Sequence, residues 1–240
     1  MNSLPLYLGH AHACGYLEGR VARMACVSPD WPMSPAGYSL LAANGFRRSG
    51  ELVYRPWCEG CAACVPVRVP VAHFQPNRSQ RRIARRNAGL QVIERPAAFD
   101  PAHYRLYIRY LQARHPGSDM GQAGPEDYLA CLGSARFDGT RFVEFSESGR
   151  LLAVAVVDGL TDGFSAVYTF YEPGEAGRSL GVHAVLWQIE EARRRGLGYV
   201  YLGFWVAESR KMAYKAGFRP IERFTGREWV VLEPNRPVPA

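Results

Sequence analysis

Residues 142–204 read FVEFSESGRLLAVAVVDGLTDGFSAVYTFYEPGEAGRSLGVHAVLWQIEEARRRGLGYVYLGF. Three strand-like segments lead, 142–145, 151–158 and 165–171, each dominated by aliphatic, β-branched or aromatic residues. Residues 179–195 follow as a helix that stops at Gly196. Residues 199–204 read as a buried strand, 211–216 as a short helix stopped by Gly217, and 228–232 as a last strand. Strands, helix, strand, helix and strand in that order predict a mixed α/β (α+β) domain.

Working outward, Asp100-Pro101 is a helix start signal, and a helix over 104–114 follows. A Gly/Pro-rich break over 115–125 leads to a short helix over 126–133. Nearer the N-terminus, a helix over 38–46 stops at Gly45, and strands over 51–56 and 65–71 flank a group of cysteines. A further helix is expected over 77–90, with Asn77 as its cap and Gln80 in the capping-box position. The chain changes character near residue 96. Two domains are therefore expected: 1–95, with the cysteine cluster and an arginine-rich helix, and 96–240.

The 240 residues are 48% hydrophobic and 21% charged, which suits a packed core and excludes a disordered chain. The longest aliphatic run, 151–157, is far shorter than the roughly 20 residues a membrane helix needs. Residues 1–9 lack the basic and apolar regions of a secretory signal, so a soluble, cytoplasmic protein is expected. Lys and Arg outnumber Asp and Glu by 29 to 22, a net charge of +7 that points to an anionic partner.

Arg78, Arg81, Arg82, Arg85 and Arg86 stand at helical spacing and form one continuous face. No acidic residue is interleaved with them, which favours an external anion. Guanidinium forks suit phosphate, and a DNA-reading helix would more often mix Asn, Gln or Ser into its contact positions than repeat arginine, which favours backbone and shape recognition of structured RNA. Cys58, Cys61 and Cys64 repeat at C-x-x-C spacing, and Cys14 supplies a fourth thiol. Four thiolates suit zinc or an iron–sulfur cluster, and reduced thiols packed in the interior are the other reading.

The order of elements from residue 142 onward resembles the GCN5-related acetyltransferase fold, whose phosphate loop reads (Gln/Arg)-x-x-Gly-x-(Gly/Ala). Here that loop is Arg178-Ser-Leu-Gly181-Val-His183. The bulk of His183 is expected to keep a pyrophosphate off the backbone, which counts against acetyl-CoA. A longer set of motifs is more specific: 45–50 (GFRRSG), Tyr54-Arg55-Pro56 with the three cysteines, 66–68 (PVR), 74–82 (FQPNRSQRR), 165–171 (SAVYTFY) and 211–215 (KMAYK). Together they resemble the aminoacyl-tRNA–protein transferases, in their bacterial, leucine-transferring form, over residues 10 to 232. The early motif Cys14-Gly15-Tyr16-Leu17 lacks the second cysteine of the eukaryotic arginyl-transferring members.

The resemblance implies transfer of leucine from Leu-tRNA to proteins that begin with Asp or Glu, giving a degradation signal of the N-end rule pathway. No cofactor is needed for such a transfer, and no membrane is involved. It places the reaction centre where two middle strands splay apart, here 151–158 and 165–171, and makes Asp158, Ser165 and Tyr168 the candidates for handling the proton. Arg47, Arg48, Arg55 and Arg68 are the candidates for binding the acidic N-terminus. Lys211 and Lys215 join the arginine helix as tRNA contacts, and Tyr201 and Trp205 are candidates for stacking on the terminal adenosine. An acetyl-CoA-dependent N-acetyltransferase and a non-catalytic RNA-binding protein are the competing readings.

Overall fold

The computed structural model describes residues 4–114, 124–133, 136 and 138–233. The chain opens with β1 (Leu6–Leu8), β2 (His12–Ala13), β3 (Val21–Ala22) and β4 (Met24–Val27). α1 (Pro35–Ala43), β5 (Arg47–Ser49), β6 (Leu52–Pro56) and β7 (Val65–Pro70) follow. Then come α2 (Arg78–Arg86), β8 (Gln91–Pro96), α3 (Pro101–Arg114) and α4 (Pro125–Leu132). The remainder is β9 (Thr140–Glu147), β10 (Arg150–Gly159), β11 (Gly163–Tyr171), α5 (Leu180–Arg194), β12 (Tyr199–Trp205), β13 (Glu222–Phe224) and β14 (Trp229–Val231). Of the break expected over 115–125, residues 115–123 lie outside the described residues. The short helix expected over 211–216 is a 3-10 turn at Ala213–Gly217.

One eight-stranded sheet dominates, in the order β14-β13-β7-β12-β11-β10-β9-β8. Its neighbours are antiparallel except β11 and β12, which run parallel because α5 carries the chain across between them. β10 is buried on both faces, which is why it reads as an unbroken aliphatic run. Ala153, Ala155 and Val157 face the core under α5, while Val154 and Val156 face the core under α3 and α4. The sheet is thus a central layer between helices, as the mixed α/β reading requires. A smaller sheet, β1-β4-β6-β5, packs with α1 around Val27, Leu41, Phe46 and Val53.

The change of character near residue 96 does not separate two sheets. β7 lies between β12 and β13, and β8 forms an edge beside β9. α2 begins as expected: Asn77 accepts from the Gln80 backbone N–H at 2.9 Å, and Gln80 Oε1 accepts from the Asn77 N–H at 2.9 Å.

Candidate active site

β11 and β12 pair at Gly163↔Tyr199, Phe164↔Val200 and Ser165↔Tyr201, and beyond these positions they separate. β10 and β11, expected to splay, instead stay paired from Ala153↔Tyr171 to Gly159↔Phe164. A close hairpin connection holds β10 and β11 in antiparallel register, whereas the parallel pair is joined only through α5. Each splayed strand also carries an irregularity. The β10–β11 register passes over Val167, and the β7–β12 register passes over Leu202. Bulges of this kind bend a strand and re-aim its groups.

A cleft of about 530 Å³ occupies the gap. Tyr168, Thr169 and Tyr171 of β11, Leu202 of β12 and the first turns of α5 at Gly181, Val182 and Val185 form its walls. Arg47 reaches into it from β5. Its Nη2 donates to the Val167 carbonyl at 3.3 Å, and its guanidinium lies 5.8 Å from the Phe204 ring centre. The arginine passes so close to Gly203 that a Cβ there would meet Nη1 at 2.9 Å, and Gly203 has φ +70. The positive φ favours glycine there, and a side chain would in addition push the Arg47 guanidinium from its place.

Lys215 lies deeper in the same cleft. It is 5% exposed, and its Nζ donates to the Phe204 carbonyl at 2.6 Å. Burial first, and the Arg47 charge second, pull its pKa down to about 7. Among the described residues, neither Arg47 nor Lys215 forms an ion pair. Lys215 was expected to contact tRNA, but its burial removes it from the surface. Lys211 is exposed at the cleft rim.

The remaining candidates separate sharply. Arg48 and Asp158 answer each other: Nε donates to Oδ2 at 2.6 Å and Nη2 to Oδ1 at 2.7 Å, with side chains 0% and 1% exposed. Asp158 also accepts from the Tyr38 hydroxyl at 3.0 Å and from Thr140 Oγ1 at 2.7 Å. Neither residue is presented to a substrate, so both are corrected from site residues to a buried tie between β5 and β10. Ser165 pairs across the sheet with Asp158 and is itself buried. Arg68 pairs with Glu222 at 2.7 Å and lies over the Tyr199 ring at 3.5 Å from its centre, so its charge is used internally. Tyr201, 5% exposed, donates to Asp162 at 2.8 Å and is unavailable for stacking. Arg55 stacks on Phe46 and Trp57 and lines a separate hollow with Arg223.

Of the expected proton-handling residues only Tyr168 reaches the cleft. Burial raises its phenol pKa, so it is a neutral hydrogen-bond donor rather than a base. His183 does not obstruct the cleft as its place in the loop suggested. It packs against Phe145 and lines an apolar hollow of about 320 Å³ away from the cleft.

All five arginines of the α2 face are exposed, and among the described residues none forms an ion pair. The inner side of the helix is held by Gln80, Ile83 and Asn87. Arg86 donates to the Gly177 carbonyl, which brings the end of the arginine face to the turn that leads into α5.

Cys14, Cys58, Cys61 and Cys64 are free thiols. Burial, then the other three cysteines, push Cys64 up to about 12. Yet among the described residues no three His, Cys, Asp or Glu side chains converge as a metal shell, and Cys58 Sγ turns to the Arg23 carbonyl at 3.6 Å.

The separating strand pair, the N-terminal turn of α5 and the cations between them form an open cleft of the kind an acyltransferase needs to bring two substrates together. Residues 12–82 match the family model described as arginine-tRNA-protein transferase, N terminus, and residues 102–225 match the C-terminus model. The chain belongs to this family of aminoacyl-tRNA–protein transferases. It is 46% identical to the aspartate/glutamate leucyltransferase of Chromobacterium violaceum over 230 residues, covering 96% of this chain and 95% of that one. It is 47% identical to the enzyme of the same name from Pseudomonas aeruginosa, covering 95% and 97%. Among solved structures it is similar to L-PGS from Bacillus licheniformis, at 13% identity and TM-score 0.47, covering 60% of this chain and 46% of that one.

Proposed function

We propose that this protein transfers leucine from Leu-tRNA to the N-terminal Asp or Glu of acceptor proteins, in the cytoplasm. The new N-terminal leucine then marks the product for degradation. The names of the full-length relatives support the donor and the acceptor. Among the described residues no helix is long and apolar enough to cross a membrane. The observation that carries the reading is the cleft between β11 and β12, which holds Arg47 between its walls with no ion-pair partner among the described residues.

The reaction is aminolysis of an ester. The acceptor's α-amine nitrogen attacks the leucyl carbonyl carbon, the C–N bond forms, and the C–O bond to the tRNA ribose breaks. The amine loses a proton, and the departing ribose oxygen gains one. The ester is already activated, so no cofactor enters the step, and much of the acceleration comes from holding two substrates in register. Tyr168 lines the cleft, and in this reading its hydroxyl is the hydrogen-bond donor that answers the charge developing on the carbonyl oxygen. The arginine face of α2 takes the tRNA backbone. The Arg86–Gly177 contact leads from that face to the first turn of α5, whose positive end favours the terminal phosphates.

The direct test incubates the protein with labelled Leu-tRNA or Arg-tRNA and peptides beginning with Asp, Glu or Ala. Label from leucine in the Asp and Glu peptides alone is the expected result. Label from arginine would overturn the donor. No label from either, with tRNA still bound, would leave an RNA-binding protein, and calorimetric binding of acetyl-CoA would turn the reading to an acetyltransferase.

A further inference from the structure

We propose that Lys215 and Arg47 together form a two-cation clamp that binds the side-chain carboxylate of the acceptor's first residue. The inference rests on the transferase reading and assigns the selective element within its cleft.

Arg47, Arg114, Lys211 and Lys215 line the cleft, and among the described residues no Asp or Glu does. Arg114 and Lys211 are exposed at the rim, where a polyanion can reach them. Arg47 and Lys215 are withdrawn into the gap. Each is held by one backbone carbonyl on opposite walls, Val167 on β11 and Phe204 on β12. A guanidinium has five N–H donors and an ammonium three, so both keep donors for a ligand. A buried cation is normally answered by a carboxylate, as Arg48 is by Asp158 and Arg68 by Glu222. Here each cation disfavours the other's charge, and among the described residues no carboxylate answers either of them. A small carboxylate offsets that repulsion and satisfies both. A phosphodiester carries a ribose on each side and suits the rim rather than the floor.

The same arrangement explains selectivity. An Asn or Gln side chain of the same shape would point a neutral amide at two cations and leave their charges unanswered, a site that discriminates strongly. The clamp also helps the chemistry. Nearby positive charge disfavours the α-ammonium form of the acceptor and favours the neutral amine that attacks the ester.

The test measures transfer from Leu-tRNA to peptides differing only in Asp or Asn at the first position. In Lys215→Met the KM for the Asp peptide is expected to rise by about tenfold or more, with the KM for Leu-tRNA unchanged. The Asp-to-Asn ratio of kcat/KM should fall towards one, and Lys215→Arg should restore part of it. A lowered kcat with the ratio intact would overturn the clamp and make Lys215 a proton-handling group. A raised KM for Leu-tRNA alone would overturn it in favour of a phosphate contact. Because Lys215→Met could fail to fold, the unaltered protein gives a second readout. Acetylation of Lys215, followed by mass spectrometry, should be slowed by the Asp peptide and not by the Asn peptide. Equal rates with both peptides would refute the clamp even if no transfer were seen, whereas protection without transfer would retain the clamp and remove the transferase reading.

Discussion

Replacing Asp158 with Asn tests whether this carboxylate builds the fold or performs the reaction. Its two oxygens take two short hydrogen bonds from Arg48, one from Tyr38 of α1 and one from Thr140 of β9. Arg48 donates further to the Leu132 and Gly133 carbonyls at the end of α4, each at 3.2 Å. One residue pair therefore ties together β5, β9, β10, α1 and α4. Both side chains are out of water, so removing the negative charge leaves the buried guanidinium without its carboxylate. Breaking such a pair from one side costs about 3–5 kcal/mol. For a chain of this size, at about 2–4 °C per kcal/mol, the melting temperature should fall by roughly 10 °C. Near-ultraviolet circular dichroism on heating, with urea titration to check that the m-value is unchanged, reads the loss. Arg48→Met combined with Asp158→Asn should cost less than the two single changes summed, by more than about 1 kcal/mol. Transfer per folded molecule, measured well below the transition, should stay near that of the parent. A variant with an unchanged melting temperature and no transfer would refute this reasoning and return Asp158 to the chemistry.

Three further outcomes are expected. Arg81→Glu with Arg85→Glu should weaken tRNA binding and make the log–log salt slope shallower by about 2, read by fluorescence anisotropy across a salt series. Gly203→Ala places a methyl against Arg47 at a positive φ, so kcat/KM for acidic acceptors should fall with little change in Leu-tRNA affinity, read by steady-state transfer. His183 is pulled down to about 4 by burial first and by Arg178 second. The unfolded chain therefore binds more protons between about pH 6.5 and 4, and the neutral imidazole contributes stability that is complete above that window. Up to about 3 kcal/mol is lost as the pH falls through it, and His183→Leu should flatten the acid limb of a urea-unfolding series.

What could be read from the sequence was local. The Asn77 and Gln80 spacing announces the start of α2 because a capping box lies within four residues. β10 announces itself because a strand buried on both faces needs no alternation. β8 gives no such signal: as an edge strand it sets only Val92 and Ile93 against its neighbours, and its other residues are exposed. Nothing near β7 tells that it enters the main sheet, since its partners β12 and β13 lie more than a hundred residues away.

The four candidate arginines were equivalent in sequence for a related reason. Arg47 and Arg48 are adjacent on β5, so their side chains leave opposite faces of the strand. Alternation says that the two differ but not which faces the cleft. The register of β5 on β6, Arg48 against Val53, decides that Arg48 points inward to Asp158. Lys211 and Lys215 stand in one motif, and depth separates them, one at the rim and the other on the floor. The cleft arises from irregularities at Val167 and Leu202, and neither residue type marks a bulge. Each acts through its backbone. The Val167 carbonyl, skipped by the β10 register, is the group that holds Arg47. The Phe204 carbonyl, beyond the last β11–β12 pair, holds Lys215. Loss of pairing between two strands thus frees the acceptors that position the two cations, so the opening of the sheet and the charge of the site are one structural event.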